Sequence, residues 1–364
     1  MPPRIEPSGW PGMHPLNATI VRTGLEVLYF SGAHLLMRPF CAGVGSILML
    51  HHVRPPSDDG FQPNRLLEVA PGFLEQTLAW LRREEIDIIS LDEMQRRLAE
   101  RDFGRRFVCI TLDDGYRDNK VWAYPIFKRF QAPFAIYVPT SFPEGAAKLW
   151  WRALELALAG HDSISVRIGG AERQFACATI RRKDEVYRDL YWRMRAIGDE
   201  SELHAIMDDL ARRHDLDMRS VAGELCMTWD EVRELAADPL ATIGAHTINH
   251  LMLGKASEEV ARTELELGRT LLEARIGRPV RHLAYPYGGR DLVGPREFRL
   301  AAEAGYATAV TTRPGVLHPE HAGQLMALPR LSLNGQYQHQ RHFKVLMSGA
   351  ATALANGFRR VDAA

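Results

Sequence analysis

Short apolar runs alternate with helix-like stretches along most of this chain, and this alternation limits the possible folds more than any other feature. The predicted strands are residues 46–50, 107–112, 134–138, 241–245, 282–285, 307–311 and 328–333, and the predicted helices are residues 71–84, 91–101, 119–130, 228–237, 258–276 and 295–304. Strands that alternate with helices pair in parallel, with the helices packed outside. The sequence therefore predicts an α/β fold with a buried parallel sheet.

The alternation is interrupted between residues 141 and 239. This span holds helix formers, charge-rich segments and two adjacent tryptophans, Trp150 and Trp151. We predict a mainly helical insertion with a strand pair near residues 166–175, in which the tryptophans anchor a helix or, alternatively, offer aromatic faces on which a substrate stacks. The predicted regions are an N-terminal helical segment (1–45), the α/β core (46–140 and 240–334), the insertion (141–239) and a C-terminal tail (335–364), with a further helix over residues 343–355.

The charge balance argues against general nucleic-acid binding. The 45 Lys and Arg residues equal the 45 Asp and Glu residues, so the net charge is zero and there is no basic excess to attract phosphates. The four cysteines form no CxxC pair, which argues against a zinc ribbon or a disulfide scaffold and fits a reducing compartment.

The N-terminal region lacks the pattern of a secretory signal, because three prolines and a glutamate precede any apolar run. We therefore expect a cytoplasmic location. Residues 25–37 predict one amphipathic helix that covers the core, with contact to a membrane surface as the alternative.

Acidic and imidazole side chains follow two of the predicted strands. Asp113 and Asp114 close the run 107–112, and because adjacent side chains point in different directions, one can bind a metal while the other acts as a base. His246 and His250 follow the run 241–245, where a helical turn would place both imidazoles on one face. An Asp-Asp-Gly turn and a pair of structural histidines are the simpler explanations of each motif alone. Together, at the carboxyl ends of parallel strands, the motifs predict a catalytic metal site with three protein ligands.

Two further strand ends carry candidate residues. His51 follows the run 46–50 and is a candidate general acid, although a histidine without a chemical role is an open alternative. Tyr285, Pro286 and Tyr287 follow the run 282–285, where aromatic rings on a proline-fixed loop suit either sugar stacking or simple packing.

Three of these motifs resemble those of a known family. Thr-Leu-Asp-Asp-Gly at 111–115 resembles the TFDDG motif of the polysaccharide deacetylases (NodB homology, carbohydrate esterase family 4). His-Thr-Ile-Asn-His at 246–250 matches the family's H-[ST]-x-x-H motif, and Tyr-Pro-Tyr-Gly at 285–288 is similar to its groove motif. The resemblance covers residues 47–140 and 241–312.

The resemblance implies a deformed (β/α) barrel that carries a divalent metal, usually zinc. It implies Asp114, His246 and His250 as the ligands and Asp113 as the base. Residues 48–51 resemble the "YH" strand of the circularly permuted branch, which includes poly-N-acetylglucosamine deacetylases and would make His51 the acid.

The implied reaction is removal of N-acetyl groups from amino sugars of a glycan or a lipid-linked precursor, with release of acetate. Tyr116 would contact the substrate, with a nearby backbone N–H stabilising the oxyanion. Leu50 and Ala284 depart from the family pattern, since they stand where a tyrosine and an orienting arginine are common; Arg330 or Arg281 are the candidate replacements for the arginine.

Three alternatives stay open at this point. One is an amidase that acts on a small non-sugar substrate, and another is an inactive glycan-binding relative. The third is a separate metal site in the tail, formed by His318, His321, His339 and His342.

Overall fold

The computed structural model describes residues 15–361, and a closed ring of seven parallel strands forms its centre. The strands are β1 (Gly45–Leu50), β2 (His52–Val53), β3 (Glu68–Val69), β4 (Asp87–Ile88), β5 (Phe107–Leu112), β6 (Phe134–Val138), β7 (Ser163–Ile168), β8 (Ala171–Ala176), β9 (Ala241–Ala245), β10 (His282–Ala284), β11 (Thr308–Pro314) and β12 (Leu328–Ser332). Around the ring the order is β1, β5, β6, β9, β10, β11 and β12, and β12 pairs back to β1. The short strand β4 joins the ring at the start of β5. The predicted (β/α) barrel is confirmed.

The central strands of the barrel are buried on both faces. All six residues of β5 are buried, as are all six of β1, which pairs with it along its whole length. Val108, Ile110 and Leu112 pack outward against the helices, whereas Phe107 and Cys109 belong to a separate inner cluster. Because side chains alternate along a strand, Thr111 and Asp113 continue the inner row.

Helices surround the ring. They are α1 (Pro15–Phe30), α2 (Ala33–Cys41), α3 (Pro71–Arg83), α4 (Leu91–Glu100), α5 (Tyr124–Phe130), α6 (Trp150–Gly160), α7 (Ile180–Ala196), α8 (Glu200–Arg213), α9 (Met218–Leu225), α10 (Trp229–Ala237), α11 (Glu258–Ile276), α12 (Pro295–Glu303), α13 (Gln340–Met347) and α14 (Ala350–Ala355). The predicted capping box at Thr228 is present, with Glu231 as its reciprocal partner. The predicted helix 119–130 begins with a π-helical turn, Asn119–Ala123, before α5.

Two of the helix predictions near the chain ends are wrong in the same way. The single helix predicted over residues 25–37 is two helices, α1 and α2, because Gly32 adopts a left-handed conformation with φ of 72° between them. The single helix predicted over residues 343–355 is likewise divided into α13 and α14 at Gly349, whose φ is 71°. Glycine adopts such conformations without steric cost and ends a helix there.

The interrupted region, residues 141–239, contains α6 to α10 and the antiparallel pair β7 and β8, close to the strand pair predicted there. Near its carboxyl end this region contacts the barrel, because the Met227 N–H donates a hydrogen bond to the carbonyl of Gly115. Over residues 15–361, no helix has the length and apolar content needed to cross a bilayer.

Candidate active site

Asp113 and Asp114 lie where β5 ends, and the backbone sends their side chains apart. The Asp113 N–H continues the strand ladder by donating to the Leu50 carbonyl at 2.9 Å. The chain then turns through Asp114 (φ 72°) and Gly115 (φ 60°), a left-handed pair that bends the backbone out of the strand direction. The two adjacent carboxylates therefore have different neighbours, although both are almost fully buried.

Asp113 forms a buried ion pair with Arg330 of β12. Two guanidinium nitrogens donate to the two carboxylate oxygens, each at 2.7 Å. A third nitrogen donates to the Thr311 carbonyl at 2.9 Å, which fixes the guanidinium plane. Burial alone would raise the pKa of Asp113, but the charge and hydrogen bonds of Arg330 outweigh it and hold the pKa below its usual value. Asp113 is thus an ionised, oriented carboxylate, and of the two candidate replacements for the arginine absent at Ala284, Arg330 contacts it whereas Arg281 pairs with Asp92.

Asp114, His246 and His250 form the only cluster of three potential metal ligands in the described part of the chain. The Oδ1 of Asp114 lies 3.3 Å from Nε2 of His246 and 3.2 Å from Nε2 of His250. This oxygen is buried and has no hydrogen-bond partner. Burial would raise the pKa of Asp114, yet the two imidazoles lower it well below its usual value.

This donor set fits a divalent metal ion. His246 donates its Nδ1–H to the Ala284 carbonyl at 2.7 Å, which leaves the lone pair of Nε2 directed toward Asp114. One carboxylate and two imidazoles are ligands that zinc prefers, and a three-ligand set leaves positions for water and substrate. An unpartnered buried carboxylate oxygen facing two imidazole nitrogens is costly without a cation between them.

The two histidines converge through a bent loop, which corrects the helical turn that we considered for residues 246–250. Thr247 and His250 both have positive φ values, 65° and 58°, so the segment is not helical. The buried carboxylate of Glu264 on α11 holds this loop by accepting from the N–H groups of Ile248 and Asn249 at 2.8 and 2.9 Å.

His51 lies beside this cluster, at the carboxyl end of β1. The charges of Asp114 and Asp113 both act on its imidazole and raise its pKa, but burial lowers the pKa by more, so that it lies below the ordinary value. Asn119 donates to the backbone carbonyl of His51 at 2.7 Å and to Asp118 at 3.0 Å. The π-helical turn after the Asp-Asp-Gly segment thus fixes the strand end that carries His51.

The neighbouring histidine, His52, belongs to a polar network that the sequence analysis missed. Its Nδ1 lies 2.6 Å from Oδ2 of Asp118, and its ring stacks on Tyr116 with 3.7 Å between the ring centroids. Tyr116 is itself buried, so its side chain is not a substrate contact as predicted; its backbone N–H remains the candidate. No pattern in the sequence linked His52 to a partner 66 residues away.

The proline-aromatic loop contributes one ring to the site instead of two. Tyr287 lies against His250, with 5.0 Å between their ring centroids. Tyr285 is fully buried, packs on Phe298 and donates its hydroxyl to the Met326 carbonyl, so of the two roles considered for this ring, sugar stacking and packing, the structure supports packing. Pro286 is also buried and acts by shaping the loop.

The inserted region reaches the same place. Trp151 of α6 lies 5.5 Å from His250 between ring centroids, and Trp150 donates its indole N–H to the Tyr287 hydroxyl at 2.9 Å. Both tryptophans are buried, as expected of helix anchors, and they anchor α6 against the loops that carry the candidate ligands. The tail histidines do not come together as a metal site: His321 and His342 are buried separately, and His342 contacts Glu26.

A family model described as polysaccharide deacetylase matches residues 175–309. The matched range includes His246, His250 and Tyr287, whereas Asp113 and His51 precede it. It begins inside the region that we predicted as an insertion. Among curated proteins, none matches the chain.

Several solved structures share the barrel fold. The deacetylase PplD from Streptococcus pyogenes, solved in complex with acetate, matches with a TM-score of 0.54 and 20% identity, over 83% of this chain and 97% of that chain. IcaB from Ammonifex degensii matches with a TM-score of 0.52 and 18% identity, over 83% and 97%. A polysaccharide deacetylase from Bacillus cereus matches with a TM-score of 0.51 and 14% identity, over 84% and 68%. The family match and the shared barrel together confirm the resemblance to the polysaccharide deacetylases that the three sequence motifs indicated.

Proposed function

We propose that this chain is a metal-dependent N-deacetylase that hydrolyses N-acetyl groups of amino sugars in a glycan and releases acetate. The observation that carries the proposal is the division of the two adjacent carboxylates. Asp114 faces two imidazoles, as a metal ligand would, while Asp113 is held apart by Arg330, as a base would be. The family match and the fold of the similar deacetylases support the same reaction class.

Asp114, His246 and His250 would hold a divalent ion, and zinc suits this set. Such an ion, when bound, polarises the acetyl carbonyl and makes water a better nucleophile. Asp114 and His246 are buried and His250 is partly buried, and this low exposure strengthens electrostatic interactions within the site.

Asp113 would remove the proton from the attacking water. Its depressed pKa keeps it ionised at neutral pH, so it is always ready to accept, although a low pKa also makes it a weaker base than an ordinary carboxylate. Arg330 compensates by orientation, because its bidentate contact prevents the carboxylate from rotating away from the reacting water.

His51 would supply the proton that the departing amine needs, since an amine anion is a very poor leaving group. Burial lowers the pKa of His51, so its protonated form is a stronger acid than a histidine in water. The backbone N–H of Tyr116 would stabilise the oxyanion formed on the acetyl carbonyl oxygen.

The aromatic ring of Tyr287 near His250 supports a sugar substrate. Tyr287 is only partly buried and lies 5.0 Å from the His250 ring, measured between centroids, and an aromatic face suits the apolar face of a pyranose ring. Two of the similar structures are a deacetylase with bound acetate and a polysaccharide deacetylase, which is consistent with a glycan substrate here.

The proposal is tested by acetate release from N-acetylglucosamine oligomers, with small N-acetyl amides assayed in parallel. We expect acetate from the oligomers, loss of activity after chelation and recovery on addition of Zn²⁺. Turnover of the small amides alone would indicate a different amidase. Binding of the oligomers without acetate release would indicate an inactive relative, and either result would overturn the proposal.

A further inference from the structure

The N-terminal helix pair exposes an apolar face to solvent. On α1, Ile20, Val27 and Phe30 recur at intervals of seven and three residues, so they lie along one side of the helix. On α2, Leu36 and Phe40 are four residues apart and share one side, and the exposed Leu35 is adjacent to Leu36. Phe30, Leu36 and Phe40 are each more than 75% exposed, which is unusual for such large apolar side chains.

The C-terminal end of the chain extends this face. Leu354 on α14 and Phe358 just after it are also exposed, and Phe358 lines the same surface cavity as Phe40. We call these eight residues the terminal apolar face. They make up eight of the fourteen exposed large hydrophobic residues in the described part of the chain, so the exposure is concentrated here and is not scattered.

The charges around the terminal apolar face are predominantly positive. Arg22 and Arg38 lie on its helices, and Arg359 and Arg360 follow Phe358. Glu26 is the only acidic residue of α1 and α2, and its carboxylate is already engaged by Arg341 of α13 at 2.8 Å. Arg38 and Arg360 pair only at the surface, with Glu84 and Glu320, and such exposed pairs are weak.

We propose that the terminal apolar face docks this protein onto a bilayer surface that contains anionic lipids. Helices with an apolar face and arginine at their edges lie in the membrane interface, where the side chains enter the acyl boundary and the cations meet anionic headgroups. Pairing of this face with a second copy would bring the same arginines against each other. Electrostatics therefore favours a lipid surface over self-association.

The position of the face leaves the candidate active site accessible. Phe40 precedes the amino end of β1, whereas His51 follows its carboxyl end. A strand of six residues separates them by about 20 Å. The docked protein would therefore present the mouth of its barrel away from the contact made by Phe40.

The test is flotation of the full chain with vesicles of phosphatidylcholine alone and with vesicles that also contain phosphatidylglycerol. We expect co-flotation with the anionic vesicles, at least about tenfold weaker in the double variant Leu36→Glu with Phe40→Glu, because two large apolar groups no longer insert. The matched control, Leu267→Glu with Leu271→Glu, changes two exposed leucines with the same spacing on α11 and should float like the native chain.

A second variant tests the electrostatic part without altering the helices. Arg359→Gln with Arg360→Gln should weaken flotation with the anionic vesicles by about tenfold and leave the neutral vesicles little changed. Far-ultraviolet circular dichroism and thermal unfolding check that each variant is folded.

Failure of the native chain to float with anionic vesicles would overturn the proposal, as would equal flotation of the native chain and the Leu36/Phe40 variant. A concentration-dependent dimer that this variant abolishes, without flotation, would instead assign the face to contact between copies.

Discussion

Replacement of Arg330 by methionine should destabilise the protein strongly, because it leaves the Asp113 carboxylate buried without a partner. Arg330 is fully buried and Asp113 is almost so, and the guanidinium makes both of its 2.7 Å contacts to the carboxylate oxygens. Breaking a buried pair in this way costs about 3–5 kcal/mol, whereas loss of a surface pair costs about 0–1 kcal/mol. Since domains are stable by about 5–15 kcal/mol, the expected loss is a large share of the total.

The pH dependence of this cost gives a sharper test. In the native chain the pKa of Asp113 is depressed, so its stabilising contribution is present above the unfolded-state value of about 3.9 and is lost as the pH falls through the folded-state value. In Arg330→Met, burial acts without the guanidinium and raises the pKa of Asp113. Protonation then removes the buried charge, so the free-energy cost of the substitution should be smaller at pH 5 than at pH 8.

Urea unfolding at the two pH values measures both quantities. Arg281→Met is the matched control, because Arg281 is half exposed and pairs with the exposed Asp92; its cost should stay within about 0.5 kcal/mol. The double variant Arg330→Met with Asp113→Asn should recover much of the loss, since no unpaired charge remains buried at position 113. A cost below about 1 kcal/mol that is equal at both pH values would refute the proposed role of the pair.

Three further predictions concern individual residues. His51→Ala should lower kcat by about 10²–10⁴ while the metal content stays unchanged, because general-acid assistance is lost; unchanged turnover would make His51 a structural residue. Glu264→Ala should weaken metal affinity by about tenfold to a hundredfold, measured by competition with a chelator, because the loop 246–250 loses its anchor; equal affinity would show that the loop needs no such support. Burial raises the pKa of Glu200 to about 7 in the folded state. Because this pKa is higher than that of Glu200 in the unfolded state, Glu200 takes up a proton on folding at mildly acidic pH. The unfavourable contribution of Glu200 to folding therefore grows as the pH rises from the unfolded-state pKa through 7. Glu200→Gln should therefore raise the unfolding free energy more at pH 8 than at pH 5, and a stability difference that does not change with pH would contradict this.

The sequence predicted the barrel strands well because their signal is local. The runs 107–112, 134–138 and 241–245 have the predicted bounds, and each is an almost unbroken apolar or small-residue stretch, as strands enclosed by helices require. The end of α11 at Ile276 was also predictable, because Gly277 follows in the left-handed conformation that closes a helix.

The parts that escaped prediction depend on distant contacts or on backbone conformation. Arg330 is 217 residues from Asp113, and nothing in the spacing distinguishes it from Arg281, which lies at the surface. The positive φ values at Thr247 and His250 have no composition signal, since neither residue is glycine. Tyr285 and Tyr287 are two residues apart on the same loop, and only the folded structure shows that Tyr285 is the fully buried ring.

The central claim is that the two adjacent aspartates do different work, and parallel measurement of metal content and acetate release in Asp113→Asn and Asp114→Asn tests it most directly. We expect Asp113→Asn to retain the divalent ion of the native chain and to lose turnover, and Asp114→Asn to lose both. Loss of metal in Asp113→Asn, or full metal content in Asp114→Asn, would contradict the assignment of ligand and base.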